Sequence, residues 1–193
     1  MSKNQSRCPW CGEDALYQHY HDTVWGRPVR DDQELFAKLC LDGQQAGLSW
    51  ITILRKQKNY EAAYDQFDAQ KIVHYGQTKI DQLMQDSGIV RNKLKVQSII
   101  KNARGFLEIA ESESSFSNFL WSFVEGKAKQ NRWQTMSEIP VATPESEAMS
   151  KALKKKGFNF VGPTICYAFM QAVGMVNDHL IDCAQWQACS ELA

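Results

Sequence analysis

A carboxylate and an indole lie close together in the stretch from Cys40 to Leu54, CLDGQQAGLSWITIL. Apolar residues at helical spacing give way there to Asp42, two glycines and two amides, and an apolar run resumes at Leu48. This pattern predicts helix, loop and helix, with Asp42 at the mouth of a gap and Trp50 on its far side. A carboxylate and a flat indole facing one gap would hold a planar cationic ring. The alternative is that Asp42 caps a helix and Trp50 fills the core, and composition alone favours this alternative.

A second group of candidate residues, all Cys or His, lies near the two ends of the chain. His179 and Cys183 are four residues apart and would share one face of a helix. The candidates near the other end are Cys8, Cys11, His19 and His21. Cys8 with Cys11 would complete a Cys₃His zinc site, whereas Cys8 with His21 would complete a Cys₂His₂ site. The alternative is buried thiols and surface imidazoles; donors at both ends favour a structural metal.

The elements that would position these residues are helices. Residues 8–34 are predicted to be rich in loops, and Asp31 or Asp32 is suited to cap the helix that follows. Periodicity predicts helices near 32–42, 48–56, 58–65, 69–74 and 78–86. Further helices are predicted from Asn92, over 116–123, over 146–156 and after Pro163. No convincing strand is visible, so the predicted fold class is all-α.

A helical hairpin is predicted near residues 78–107. Gly88 is suited to end the first helix, and Asn92 is suited to cap the second. Backbone N–H groups at such a helix start can hold a phosphate, with help from Arg91 and Lys93. The pattern fits a DNA-binding helix-hairpin-helix and an ordinary turn between two helices equally well.

Composition restricts the class of protein. The chain has 193 residues with a hydrophobic fraction of 44%, which suits one domain or two lobes around a packed core. Lys+Arg and Asp+Glu both total 22, but residues 88–107 and 151–156 are basic stretches, compatible with nucleic-acid binding. We expect a cytosolic protein without membrane spans, because neither a signal peptide nor a long apolar run is visible. Six cysteines are then expected to be thiols or metal ligands.

Long motifs across the chain resemble the DNA-3-methyladenine glycosylase I family, the bacterial helix-hairpin-helix enzymes of base excision. The matching stretches are RC-x-W (Arg7–Trp10), LYxxYHDxxWG (Leu16–Gly26), GQQAGLSWIT (Gly43–Thr52), GIVRNKLK (Gly88–Lys95), WSFV (Trp121–Val124), SKALKKKGFxFVGPTICYxFMQAxGxVNDH (Ser150–His179) and the later Cys183. The resemblance covers nearly the whole chain and implies a single α-helical glycosylase domain over residues 1–193.

The resemblance also implies an activity and a set of sites. Enzymes of this family flip alkylated purines, chiefly 3-methyladenine, out of duplex DNA and hydrolyse the N-glycosidic bond. Its zinc site maps to Cys8, His21, His179 and Cys183. Its base pocket maps to Tyr20 and Trp50 as stacking walls, with Asp42 as the carboxylate and with Tyr17, Trp10 and Trp25 lining the same cavity. Its DNA contacts map to Gly47, Leu48, Gly88, Arg91 and Lys93.

The sequence departs from the family pattern at Asp42, where the family has glutamate. The shorter side chain withdraws the carboxylate by about 1.5 Å, one C–C bond. A shifted helix, a bridging water or a lower base affinity would accommodate this change. The expected protein is a monomer in the bacterial cytoplasm, acting on duplex DNA that contains alkylated purine, with one structural zinc. A non-catalytic DNA-binding module, a glycosylase of shifted substrate range and a metal hydrolase are the competing interpretations.

Overall fold

The computed structural model describes residues 6–192 and consists mostly of helices. The first half contains α1 (Ala15–Thr23), α2 (Asp32–Gln45), α3 (Trp50–Leu54), α4 (Gln57–Ala63), α5 (Ala69–Ile72) and α6 (Gln77–Gln85). The second half contains α7 (Lys93–Ser112), α8 (Phe116–Trp121), α9 (Pro144–Lys155), α10 (Pro163–Ala172) and α11 (Ala184–Ser190). Short 3-10 turns cover Pro9–Cys11, Asp65–Phe67, Ser122–Val124 and Met136–Glu138.

Side-chain caps determine where several helices begin. The carboxylate of Asp31 accepts from the backbone N–H of Glu34, and the amide oxygen of Asn92 accepts from that of Lys95. Both predicted caps are therefore confirmed. Asp32 has another task, because its carboxylate accepts from the backbone N–H groups at the start of α8. This contact joins the first turns of α2 and α8.

Helix α2 is the central element of the core. Its residues Leu35, Phe36 and Leu39 are completely buried, and it packs against α3, α7, α8 and α10. Its last carbonyl groups are satisfied by a lysine from α7, since Lys95 Nζ donates to the carbonyl oxygens of Gln44 and Ala46. Burial lowers the pKa of Lys95. One member of the predicted basic stretch therefore has a structural contact inside the protein.

Three sequence-based predictions about local structure are wrong. Residues 8–34 contain helix α1, whose start is fixed by the Asp14 side chain accepting from Leu16 and Tyr17. Helix α2 continues to Gln45 and does not end near 42, so Asp42 lies inside the helix and not at its end. His179 and Cys183 lie in a turn, not on a helix, and Cys183 caps the start of α11.

A pair of two-residue strands was not predicted. β1 (Lys129–Gln130) pairs in parallel with β2 (Val176–Asn177) and holds the long connection between α8 and α9 against the segment after α10. Two residues carry no readable alternation, which is why the periodicity of the sequence does not indicate this pair. In the described residues, no helix combines the length and the apolar character needed to cross a bilayer.

Candidate active site and metal centre

A pocket of about 230 Å³ lies between α1, α2, α3 and α10. All six residues that the resemblance placed in a base pocket line it: Trp10, Tyr17, Tyr20, Trp25, Asp42 and Trp50. Its volume is below the range of about 300–1,000 Å³ that drug-sized ligands occupy. The pocket therefore has the size for a small planar molecule.

Asp42 supplies the negative charge of this pocket. The side chain is only 2% exposed, and its Oδ1 accepts from Lys38 Nζ one helical turn earlier in α2. Its Oδ2 has no hydrogen-bond partner in the protein. Burial raises the pKa of Asp42, and the Lys38 ammonium opposes part of this shift. A buried carboxylate with a free oxygen is an acceptor available to a ligand.

Aromatic rings form a second part of the pocket wall. The Tyr20 and Trp50 rings have centroids 5.5 Å apart with an interplanar angle of 44°. Trp10 makes edge contacts with Tyr17 and Trp25, each at a centroid distance of 5.0 Å. These rings form a small apolar cluster beside the main core, and Trp50 packs against both. Because the indole N–H groups of Trp10 and Trp50 are buried without an acceptor, the walls also present two donors.

Four of the candidate metal ligands lie together behind this pocket. The donor atoms of Cys8, His21, His179 and Cys183 lie within 4.8 Å of one another, and all four residues are buried. Contact with the Cys8 thiol and with both imidazoles lowers the pKa of the Cys183 thiol well below its usual range. Spacing alone left two ligand sets open, and the structure brings together the set with His21.

The other two candidates lie outside this cluster. Cys11 is buried, but its thiol donates to the carbonyl oxygen of Cys8. His19 is exposed on α1 and approaches Thr23.

The ligand side chains are oriented by further contacts. The Nδ1 of His21 lies 2.8 Å from a carboxylate oxygen of Asp22, which is also paired with Arg7. The Nε2 of His179 lies 3.2 Å from the carbonyl oxygen of Trp25. Such partners fix which ring nitrogen faces a metal. The arrangement therefore leaves His21 Nε2 and His179 Nδ1 facing the two sulfur atoms.

The four-residue cluster also supports the pocket wall. The Trp25 ring lies edge-on to His179 at 4.6 Å between centroids, and the Trp10 ring lies 5.2 Å from that of His21. Gly26 makes this close approach feasible, because a Cβ there would lie 2.9 Å from His179 Nε2 and its φ is +82°. Ordering of the cluster is thus coupled to the position of two tryptophans.

Asn177 and Asp178, from the matching stretch that ends at His179, connect the pocket to the β1 segment. Asp178 is buried and accepts hydrogen bonds from four side chains, namely those of Asn131, Trp133, Tyr167 and Gln171. Asn177 donates to Gln130 and to the carbonyl oxygen of Trp186. Asp178 therefore fixes Gln171, which lines the pocket, and it attaches the β1 segment to α10.

The predicted DNA-contacting residues lie on two surface segments. Gly47 and Leu48 are exposed between α2 and α3, with Leu48 40% exposed although apolar. Arg91 and Lys93 are exposed at the start of α7. In the connection between α6 and α7, the Gly88 N–H donates to Asp86 and the Val90 N–H donates to Tyr60.

Seven pocket residues were not predicted: Lys38, Gln45, Met136, Ile139, Ala168, Gln171 and Ala172. Of these, Lys38 had a readable signal, because a lysine four residues before a carboxylate faces it on a helix. Met136 and Ile139 come from the long connection before α9, whose path no local pattern predicts.

Comparisons with known proteins agree across nearly the whole chain. The family model for methyladenine glycosylases matches residues 10–186. The chain is 50% identical over 177 residues to DNA-3-methyladenine glycosylase 1 of Escherichia coli K12, covering 92% of this chain and 95% of that protein. A crystal structure of 3-methyladenine DNA glycosylase I superposes with a TM-score of 0.91 at 49% identity, covering 93% of this chain and 98% of the other.

A further similar structure comes from a more distant relative. The Staphylococcus aureus 3-methyladenine DNA glycosylase I, described for its recognition of 3-methyladenine, superposes with a TM-score of 0.91 at 38% identity. The match covers 94% of this chain and 97% of the other.

Proposed function

The chain belongs to the methyladenine glycosylase family, and we propose that it is a base-excision repair enzyme that hydrolyses the N-glycosidic bond of 3-methyladenine in alkylated DNA. One observation carries the proposal for the site. Three buried polar atoms without partners, Asp42 Oδ2 and the indole N–H groups of Trp10 and Trp50, belong to residues lining one aromatic pocket. Buried polar groups are normally paired, so these atoms are suited to the polar edge of a bound base.

The chemistry of the substrate determines what the protein must do. A purine alkylated at N3 is positively charged in DNA and is already a good leaving group. It therefore needs little protonation by a general acid. The enzyme extrudes the nucleotide and binds the base against the Tyr20 and Trp50 rings, where base stacking contributes about 1–3 kcal/mol. Water then adds to the oxocarbenium-like sugar.

Asp42 is proposed to recognise the base rather than to act as a strong base catalyst. Its carboxylate accepts N–H donors of the purine and favours positive charge in a site that is shielded from water. Where the family has glutamate, this chain has a shorter aspartate whose Oδ1 is paired with Lys38. The position of Lys38 against Asp42 thus becomes part of base recognition.

We propose that the four-residue cluster holds one structural zinc. Zinc–sulfur and zinc–nitrogen bonds of about 2.3 and 2.05 Å at a tetrahedral angle place sulfur and nitrogen about 3.6 Å apart. The Cys183 Sγ lies 3.5 Å from His21 Nε2 and 3.6 Å from His179 Nδ1, and Cys8 Sγ lies 3.6 Å from His179 Nδ1. Four protein ligands leave no open position, so the metal would fasten the chain and take no part in hydrolysis.

DNA binding is assigned to the two exposed segments. The α6–α7 pair is proposed to act as a helix-hairpin-helix, with Gly88 near a phosphate and with Arg91 and Lys93 contributing positive charge. The apolar Leu48, exposed beside Gly47, is suited to insert into the duplex where the damaged nucleotide leaves the stack. In this proposal a single domain, acting as a monomer, binds duplex DNA.

An excision assay tests the proposed function. Duplex DNA treated with a methylating agent is incubated with the protein, and the released bases are separated by chromatography. We expect 3-methyladenine in the soluble fraction. Binding of the same DNA without any released base would instead support a non-catalytic DNA-binding module. Release of a different alkylated purine in place of 3-methyladenine would indicate a shifted substrate range.

A salt titration tests the proposed DNA contacts. Arg91→Ala should lower the slope of log affinity against log salt by about 0.9, the value for one lost phosphate contact with B-DNA. Lys71→Ala is the matched control, because Lys71 is exposed on α5 and pairs with Asp68, the N-cap of that helix. An Arg91→Ala slope equal to that of wild type would exclude this contact.

A further inference from the structure

The side chain of Lys38 lies between two pockets. On one side it lines the aromatic pocket with Asp42 and Trp50. On the other side it lines a second pocket of about 250 Å³, whose other lining residues include Glu34 and Glu61. The side chain is 16% exposed, and it departs from the α2 backbone midway between Glu34 and Asp42, four residues from each. A flexible lysine at this position has carboxylates on both sides.

In the structure the ammonium group lies in the aromatic pocket, at the place suited to a cation. Its Nζ donates to Asp42 Oδ1 and lies 3.9 Å from the centroid of the Trp50 ring. A carboxylate together with the face of an indole is the combination that attracts a positively charged ring. The lysine thus makes the contacts that a cationic purine would make.

We propose that Lys38 is a displaceable internal cation that determines which bases enter this pocket. A positively charged base takes the place of the ammonium between Asp42 and Trp50, and the lysine moves toward Glu34 and Glu61. This inference rests on the proposed function, because it assumes that the ligand of the pocket is a purine.

The exchange keeps the charge in the pocket balanced. Because Asp42 is almost fully buried, leaving its carboxylate unpaired is strongly unfavourable. A cationic base restores the pairing when Lys38 leaves, whereas a neutral base of the same shape does not. The lysine also has a second position available beside Glu34 and Glu61. The Glu34 side chain is exposed, and only one carboxylate oxygen of Glu61 accepts a hydrogen bond from the Gln57 amide. Exchange of one cation for another therefore selects for charge as well as shape.

Binding measurements with Lys38→Met separate a displaced lysine from a lysine that stays and donates to the base. The probes are free 3-methyladenine and the permanently cationic 3,9-dimethyladeninium, whose second methyl stands where the sugar is attached. Quenching of tryptophan fluorescence reports binding, because Trp10, Trp25 and Trp50 line the pocket. If Lys38 must leave, its removal strengthens binding of 3,9-dimethyladeninium by about tenfold. Unchanged or weaker binding of that probe would overturn the inference.

A second variant and a control keep the test independent of folding. Glu34→Gln with Glu61→Gln removes the alternative position of the lysine without touching the aromatic pocket, and should weaken binding of the cationic probe about threefold. Unchanged binding in this variant would refute the move toward these carboxylates. Lys71→Met makes the same substitution at a surface ion pair and should leave binding unaltered.

The outcomes distinguish this inference from the proposed function. If wild type excises 3-methyladenine and Lys38→Met does not bind the cationic probe more tightly, the inference fails and the function stands. If wild type excises no methylated base and Lys38→Met still binds the cationic probe about tenfold more tightly, the function fails and the exchange of cations stands.

Discussion

At the scale of single residues, the properties of the pocket follow from a carboxylate that is buried against aromatic rings. Asp42 is 2% exposed, and its oxygens have different environments, one paired with Lys38 and one free. Removal from water disfavours the ionised form, while the lysine favours it. The protein thus maintains a charged acceptor in a place where charge is normally unfavourable. A carboxylate whose pKa is shifted by burial in a pocket is typical of a functional position.

The raised pKa of Asp42 predicts an acid limit for excision. Only the ionised carboxylate pairs with a positively charged base, and this form is lost as pH falls through the pKa. Because burial holds that pKa above its ordinary value of 3.8, the rate should fall at a higher pH than for an exposed aspartate. Single-turnover excision, corrected for spontaneous base loss, measures this limb. A rate that stays constant down to about pH 4 would contradict it.

Residue types in the sequence predicted much of the site, but not all of it. The aromatic residues and Asp42 were predictable because their motifs resemble a known family. Spacing did not choose between Cys11 and His21 as the partner of Cys8, since both lie in the same N-terminal segment. Helix α1 places His21 on its buried face. This helix was not predicted because glycines and prolines surround it in the sequence. The role of Lys38 was not predicted, because Asp42 was considered only at the end of its helix, facing Trp50 across a gap.

At the scale of elements, close packing between α7 and the segment after α9 fixes the frame around the pocket. Gly105 lies in the middle of α7, and a Cβ there would lie 2.4 Å from the carbonyl oxygen of Lys156 and 2.5 Å from the Phe158 ring. Asn102 on the same helix exchanges hydrogen bonds with the backbone of Asn159. Helix α7 also carries Lys95, which closes the end of α2. The position of the Asp42 helix therefore depends on this contact.

Gly105→Ala tests the close contact. Alanine has the higher helix propensity, which favours it by about 1 kcal/mol. Overpacking against backbone and a buried ring opposes this by about 1–3 kcal/mol. We expect the clash to dominate, so that thermal unfolding occurs at a lower temperature. Gly76→Ala is the control, because a Cβ at Gly76 meets nothing within 4 Å. A Gly105→Ala protein more stable than wild type would show that the two segments separate easily.

Most helices other than α1 were predictable to within a few residues because apolar faces repeat at helical spacing. The other elements that were not predicted are short. The β1–β2 pair has two residues in each strand, and the turn from His179 to Cys183 is defined by contacts from a distant part of the chain. Leu180 N–H donates to Cys8 Sγ across 172 residues of sequence. Local patterns contain no information about such a contact.

At the scale of the whole molecule, the four-residue cluster joins the two ends of the described chain and supports the pocket. Cys8 and His21 come from the first segment, and His179 and Cys183 come from the last. Backbone hydrogen bonds also connect the first segment to the end of α10, since Gly26 N–H donates to the carbonyl oxygen of Ala172 and Val29 N–H donates to that of Val173. Because Trp10 and Trp25 contact the histidine rings, loss of the proposed metal should loosen the pocket walls as well.

Cys183→Ser tests the metal and its structural role together. Wild type is expected to contain about one zinc per chain, and the variant should lose it, since serine is a poor zinc ligand. Its melting temperature should fall by several degrees, because metal binding contributes to folding free energy. Cys11→Ser is the matched control, a buried thiol outside the cluster. Full zinc content in Cys183→Ser, or its loss in Cys11→Ser, would assign the metal to different ligands.

Excision by Asp42→Asn is the measurement that tests the central claim most directly. Asparagine keeps the shape of the side chain and removes its charge, so single-turnover release of 3-methyladenine should fall by about a hundredfold. Asp42→Glu, which retains the carboxylate, should keep most of the activity, and thermal unfolding of both variants establishes that they fold. An Asp42→Asn protein that releases 3-methyladenine as fast as wild type would contradict the claim that a buried negative charge in this aromatic pocket recognises the damaged base.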